Sequence, residues 1–255
     1  MLKVSTGCYP VWFRQELRRA DAQAYWRGLH GQIANKNPAI HEYLQHHFSD
    51  TDHGFWPVPA TVGSIIPSDW RMDGVTEVRI GNVMTGIWAR LFAMKANALD
   101  EENVFDRVLA KTSSPGGSIW WTGAYRADTG FRAAVFLRAR SGVSGRKFGS
   151  FIEQTLGPAL INSGALELRT HVFSLGSRFM WWTPGVRHDE PVNRRADAML
   201  LIGTESREAL RELLMSTSIS ATQGEQQKYC VAIQAYAIDK TYALSLGGVP
   251  QPQTW

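Results

Sequence analysis

Tyr25-Trp26-Arg27-Gly28-Leu29-His30-Gly31-Gln32-Ile33, continued by Ile40-His41-Glu42-Tyr43-Leu44-Gln45-His46-His47-Phe48, is the stretch whose reading decides the fold. Ala22, Trp26, Leu29 and Ile33 recur at helical spacing, and Asp21 stands where an N-cap is expected. Asn37-Pro38 then stops the helix, because the residue before a proline is driven out of the α region. The second part alternates as a strand, with Tyr43, Gln45 and His47 on one face and Leu44, His46 and Phe48 on the other. Five of the seven histidines fall between His30 and His53. No other segment concentrates titratable groups in this way.

Outward from that stretch, residues 2–13 have strand character and Ser49 to Arg71 is a loop rich in Gly, Pro and Trp. Met72 to Ile80 reads as a strand. Met84 to Ala98 has a helical apolar face, which Asp100 to Lys111 extends or repeats. Ser113-Ser114-Pro115-Gly116-Gly117 is a break, and Ser118 to Arg126 a closing strand. Past Asp128-Thr129-Gly130 the order restarts. Phe131 to Arg138 is a strand and Lys147 to Ile161 a helix. A second aromatic loop contains Phe179-Met180-Trp181-Trp182. Asp197 to Ile202 is a strand, Ser206 to Met215 a helix and Tyr229 to Ala237 the last strand.

Setting Tyr25–Ala34 against Phe151–Leu160 puts Gly31 on Gly157. After one deletion His46 falls on His171 and Phe48 on Phe173, and Asp73–Val78 matches Asp197–Ile202. The constant spacing predicts an internal duplication with halves 1–127 and 128–255. Each half reads strand, helix, strand, strand, helix, strand, the order of a ferredoxin-like unit. Two such units can cover each other's open sheet faces. The expected fold is therefore α+β, with two ferredoxin-like repeats forming an intramolecular α+β barrel. A homodimer is an option that barrel closure does not require.

Composition narrows the class. With 44% hydrophobic and 20% charged residues the chain reads as globular. The net charge of +4 is mild and the arginines are scattered, which argues against nucleic acid as a partner. No apolar run is long enough for a bilayer and no secretory signal is visible, so no membrane partner is expected. Cys8 and Cys230 lack metal spacing and read as reduced thiols in a cytoplasmic setting. Nucleophile elbow, phosphate loop and dinucleotide fingerprint are all missing, which sets aside hydrolase, kinase and Rossmann readings. Ten tryptophans can fill a core or line a flat apolar cavity.

The segments Tyr25–Gly31, Tyr43-Leu44-Gln45-His46-His47 and Asp73-Gly74-Val75-Thr76-Glu77, in that order, resemble the EthD-like family of the dimeric α+β barrel superfamily. The second half keeps the skeleton without the polar motif: Leu156, Leu168 and Val172 stand where the first half has His30, Tyr43 and His47. The resemblance implies an enzyme acting on an aromatic or polyketide-like apolar substrate, by cyclisation, isomerisation, decarboxylation or cofactor-free oxygenation. It implies haem in some superfamily relatives.

The reading carried forward is cofactor-free proton transfer of the lyase, isomerase or monooxygenase type. His47 is the candidate general acid or base, since an imidazole titrates nearest neutral pH. Tyr43 would hold a developing oxyanion, His30 would orient one of them, and Glu77 would share a proton with a histidine. Trp12, Trp26, Trp56, Trp70, Trp181 and Trp182 are candidates for substrate contact. His46 and His171, matched in both halves, read as structural. No metal is expected, because no histidine spacing resembles a zinc or iron motif. The competing readings are a haem enzyme with a histidine such as His171 as axial ligand, and a non-catalytic binder of aromatic metabolites.

Overall fold

In a computed structural model, described for residues 1–37, 39–80, 99–174 and 183–252, the alternating segments become strands of one continuous sheet. The first half contributes β1 (Leu2–Val4), β2 (Thr6–Phe13), β3 (Ile40–His53), β4 (Gly74–Ile80), β5 (Phe105–Val108) and β6 (Lys111–Trp120). The second contributes β7 (Phe131–Ala139), β8 (Glu167–Phe173), β9 (Ala198–Thr204), β10 (Cys230–Leu246) and the short β11 (Val249–Pro250). Their neighbours run β6-β2-β4-β3-β10-β7-β9-β8 and return to β6, so the ring is closed. Within it β6-β2-β4-β3 and β10-β7-β9-β8 are two ferredoxin-like orders. Two seams join them: β3 with β10, and β6 with β8. The expected intramolecular α+β barrel is the fold.

The halves also repeat one another in detail. The Asp73 carboxylate accepts the amide of Phe13 at 2.7 Å, and Asp197 accepts that of Ala139 at 2.9 Å. The amide of Phe48 donates to the Asp73 carbonyl, as that of Phe173 does to Asp197. Both helices carry a π turn at aligned positions. In the first half α1 (Arg19–Tyr25) passes through Trp26–His30 into α2 (Gly31–Asn35). In the second, α3 (Gly145–Phe151) passes through Ile152–Leu156 into α4 (Gly157–Asn162).

The π turn explains a departure from the helical-spacing pattern. Its wider turn holds an extra residue and rotates the faces that follow. Leu29, counted in the apolar face, is 51% exposed as a result, while His30 is buried on the inward side where its spacing from Trp26 and Ile33 puts it. The glycine after each turn lies where helix meets sheet. A Cβ on Gly31 would stand 2.8 Å from Leu244, and one on Gly157 2.4 Å from the Trp121 ring.

Other expectations need correction. The N-cap of α1 is Arg18 rather than Asp21, which lies in the first turn and holds the Arg18 guanidinium at 2.7 Å. Of residues 100–111, only Asp100 and Glu101 are helical; the chain then turns into β5, whose alternate residues Phe105 and Arg107 are both buried. The run 113–117 is a register shift inside β6, with Gly116 at φ 72°, and not a break between elements. The closing strand therefore begins at Lys111 and ends at Trp120. The expected helix at 84–98, with Trp181 and Trp182, lies outside the described residues.

Gly157→Ala should destabilise the fold by about 1–3 kcal/mol, because the Trp121 ring has to shift to admit a methyl group. Gly145→Ala, with open space around it, should be neutral or slightly stabilising. Urea denaturation of the two variants checks the contrast.

Candidate functional site

The strand alternation of β3 assigns its side chains to two different environments. Leu44, His46 and Phe48 point into the barrel, and Tyr43, Gln45 and His47 point outward against the first-half helix.

On the helix side, the Gln45 amide organises a chain of hydrogen bonds. Its Nε2 donates to the Trp26 carbonyl at 2.9 Å and to the Tyr43 hydroxyl at 3.1 Å. A carbonyl only accepts, so the amide orientation is fixed and Oε1 faces His47. The His47 Nε2, 3.4 Å away, is then the donor. The His47 ring stacks on Trp26 at 4.3 Å between centroids and meets the edge of Tyr242 at 4.9 Å. Arg27 lies over that tyrosine, 5.2 Å from its centre. Burial, with the charges of His46, Arg19 and Arg27, drives His47 down to about 3. The neutral-range titration expected of His47 is thus displaced: it is a neutral imidazole at pH 7. Burial pushes Tyr43 up to about 12.

One turn along the helix, His30 Nδ1 lies 2.9 Å from Asp100 Oδ2. The other oxygen of Asp100 accepts the Tyr25 hydroxyl at 2.7 Å, with Asn103 bonded to both groups. Burial opposes ionisation of Asp100, but the bonds from His30 and Tyr25 outweigh it and hold the carboxyl below its usual range. Phe105 joins the two clusters, edge-on to both Trp26 and His30. Asp100 escaped the sequence reading because Asp100-Glu101-Glu102 at the end of a helical pattern looks like a solvated acidic run. Tyr242 escaped it because the last strand was ended at Ala237.

Inside the barrel, Glu77 is approached by Arg169 at 3.1 Å, His171 at 3.3 Å and His46 at 3.5 Å. Burial would push the Glu77 carboxyl up. The Arg169 charge and the two imidazoles outweigh it and hold the group well below the carboxylate range. Each histidine also reaches a hydroxyl across its own seam, His46 to Thr241 and His171 to Ser118, both at 3.0 Å. Glu77 does meet histidines, but the sheet separates it from His47 and His30. His171 does not suit the axial role considered for haem. Its Nδ1 is bonded to Thr6 and Ser118 and its Nε2 faces Glu77, with no exposed edge.

The tryptophans are dispersed. Trp26 belongs to the His47 cluster. Trp12 and Trp70 lie 5.0 Å apart at one end of the barrel core, with Arg107 over Trp70. Trp56 belongs to the second-half apolar layer and donates to Gln226 at 3.1 Å.

No protein-family model and no curated protein matches this chain. Solved structures do. An anthrone oxidase-like protein aligns at a TM-score of 0.59 with 8% identity, over 95% of this chain and 94% of its own. A candidate monooxygenase from Fusobacterium nucleatum aligns at 0.58 with 8% identity, over 100% of both chains. Another, from Lactobacillus acidophilus NCFM, aligns at 0.54 with 8% identity, over 98% of this chain and 100% of that one. The shared property is the fold, an α+β barrel. No described helix is long and apolar enough to cross a membrane.

Glu77→Gln should cost about 3–5 kcal/mol, since it takes from the buried Arg169 guanidinium one of its two carboxylates, Glu167 remaining, and from two buried histidines their shared one; chemical denaturation measures it. For His47, a folded value of about 3 against the ordinary 6.5 means that the unfolded chain binds the extra proton. Its stabilising contribution is whole above pH 6.5 and is lost as pH falls towards 3. Between pH 7 and pH 4, His47→Val should therefore lose less melting temperature than the parent protein.

Proposed function

We propose that this chain is an enzyme that moves a proton on an aromatic or polyketide-like apolar substrate without a cofactor, in the layer between the first-half sheet and its helix. One observation carries the reading. At the four matching positions the second-half layer is apolar, with Ile152, Leu156, Leu168 and Val172 in place of Trp26, His30, Tyr43 and His47. The fold is therefore met by hydrocarbon at these positions. Buried imidazole and phenol groups cost stability unless satisfied, and their retention on one side points to chemistry.

Within that layer, the high-pKa Tyr43 suits hydrogen bonding to an enolate or phenolate oxygen, while the neutral His47, its one N–H given to Gln45, keeps an acceptor nitrogen. Tyr242, only half-buried, offers a flat apolar surface to a fused ring, while Trp26, stacked on His47, is fully buried. The resemblance of fold to an anthrone oxidase-like protein suggests a tricyclic aromatic ketone as test substrate. A base removes a methylene proton from anthrone, and its electron pair enters the carbonyl system. The resulting enolate passes one electron to dioxygen, and the radicals combine to a hydroperoxide that loses water. In sum, one anthrone and one dioxygen give one anthraquinone and one water. Proton transfer is the step assigned to the protein.

The measurement is deuterium exchange at the anthrone methylene under anaerobic conditions, followed by dioxygen uptake. His47→Val and Tyr43→Leu copy what the second half already carries, so both should fold. Each should slow turnover by about 10²-fold. Folded variants that keep the parental rate would remove these residues from the site.

A further inference from the structure

Asp100 is the buried acid that the reading above leaves unused. It sits 7% exposed beside His30, itself 6% exposed, in a region otherwise lined by Trp26 and Phe105. A buried carboxylate requires hydrogen-bond donors, and here they come from the Tyr25 hydroxyl at 2.7 Å and from His30 Nδ1 at 2.9 Å. An ionised carboxylate accepts hydrogen bonds and donates none. The proton on His30 must therefore sit on Nδ1, leaving the lone pair on Nε2.

We propose that Asp100 is a positioning residue that locks His30 in the Nδ1–H tautomer, making His30 Nε2 the proton acceptor of the site. This rests on the proton-transfer reading of the same layer, and it assigns the base to His30 instead of His47. The geometry separates the two imidazoles by role. His47 has Gln45, an amide, as its polar partner and is held neutral. His30 has a carboxylate, which stabilises the imidazolium formed when a proton arrives. In the step itself, the substrate C–H bond breaks and its electron pair becomes the enolate. The proton bonds to Nε2. The Nδ1 proton stays in place, donated to Asp100. Tyr25 and Asn103 hold the other oxygen of Asp100 and keep its plane from turning away. The substrate class is set accordingly: a carbon acid beside an aromatic carbonyl, whose proton the Nε2 lone pair accepts.

Nitrogen-15 NMR of histidine-labelled protein tests the tautomer directly, since protonated and unprotonated ring nitrogens resonate in separate regions. His30→Gln identifies the signals. The parent protein at neutral pH should show His30 protonated on Nδ1. In Asp100→Asn the amide oxygen can serve either Tyr25 or His30, and the population should move toward the Nε2–H tautomer. Anaerobic exchange of anthrone deuterium should fall by about 10²–10⁴-fold in kcat with little change in KM, the scale for a base left in the wrong tautomer. An Nε2–H tautomer in the parent protein would overturn the proposal without recourse to any variant. So would Asp100→Asn exchanging within about threefold of the parent while His47→Val is slow; that would leave the proton-transfer reading standing with His47 as its base. Parental protein with the stated tautomer but no exchange supports the assignment of Asp100 and sinks the substrate class instead.

Discussion

An open four-stranded sheet with helices on one face has two unpaired edges and one uncovered face, and this constraint governs the molecule. The chain resolves it by pairing β3 with β10 and β6 with β8. Closure has a consequence for the interior, where a narrow barrel must be filled to crystal-like density. One end is filled by aromatic and aliphatic side chains such as Phe48, Phe136 and Tyr236. The other holds Glu77, Arg169 and the two seam histidines. A buried carboxylate there is tolerable because a guanidinium and two imidazoles surround it. Those partners come from both halves, so the charge cluster forms only when the ring is shut. It contributes to the specificity of closure as well as to its stability.

Much of this was legible in the sequence. The alternation of Tyr43 to Phe48 and the placement of His46 on His171 led to the barrel and to the reading of those two histidines as structural. Their matching bonds to Thr241 and Ser118 give that reading its physical content. Other features were hidden because they depend on geometry that a period cannot express. A π turn shifts the buried face by part of a turn, so Leu29, read as part of the apolar face, ends exposed. A register shift around Gly116 imitates a loop. Asp100 looks solvated until β5 is seen turning back beside it. The common origin of the halves remains a proposal, supported by the shared π turns and Asp73–Asp197 contacts.

The site follows from the two-sidedness of a strand. His46 and His47 are neighbours in sequence, yet one serves the barrel interior and the other the helix layer. The burial that stabilises the layer also makes its polar groups costly, and it moves their titration: His47 down, Tyr43 up. An imidazole held neutral is a hydrogen-bonding surface. A second imidazole, His30, is paired with a carboxylate. The first-half layer contains one of each, and the second-half layer contains neither.

The central claim is that ligand enters the first-half helix layer and not the barrel interior or the second-half layer. Fluorine NMR of 5-fluorotryptophan-labelled protein tests it, with anthraquinone as an unreactive flat ligand and Trp→Phe variants for assignment. Trp26, stacked on His47, should shift and saturate on titration while Trp56, in the opposite layer, stays in place. Saturable movement of Trp56 or of the Trp12–Trp70 pair, with Trp26 unmoved, would contradict the account.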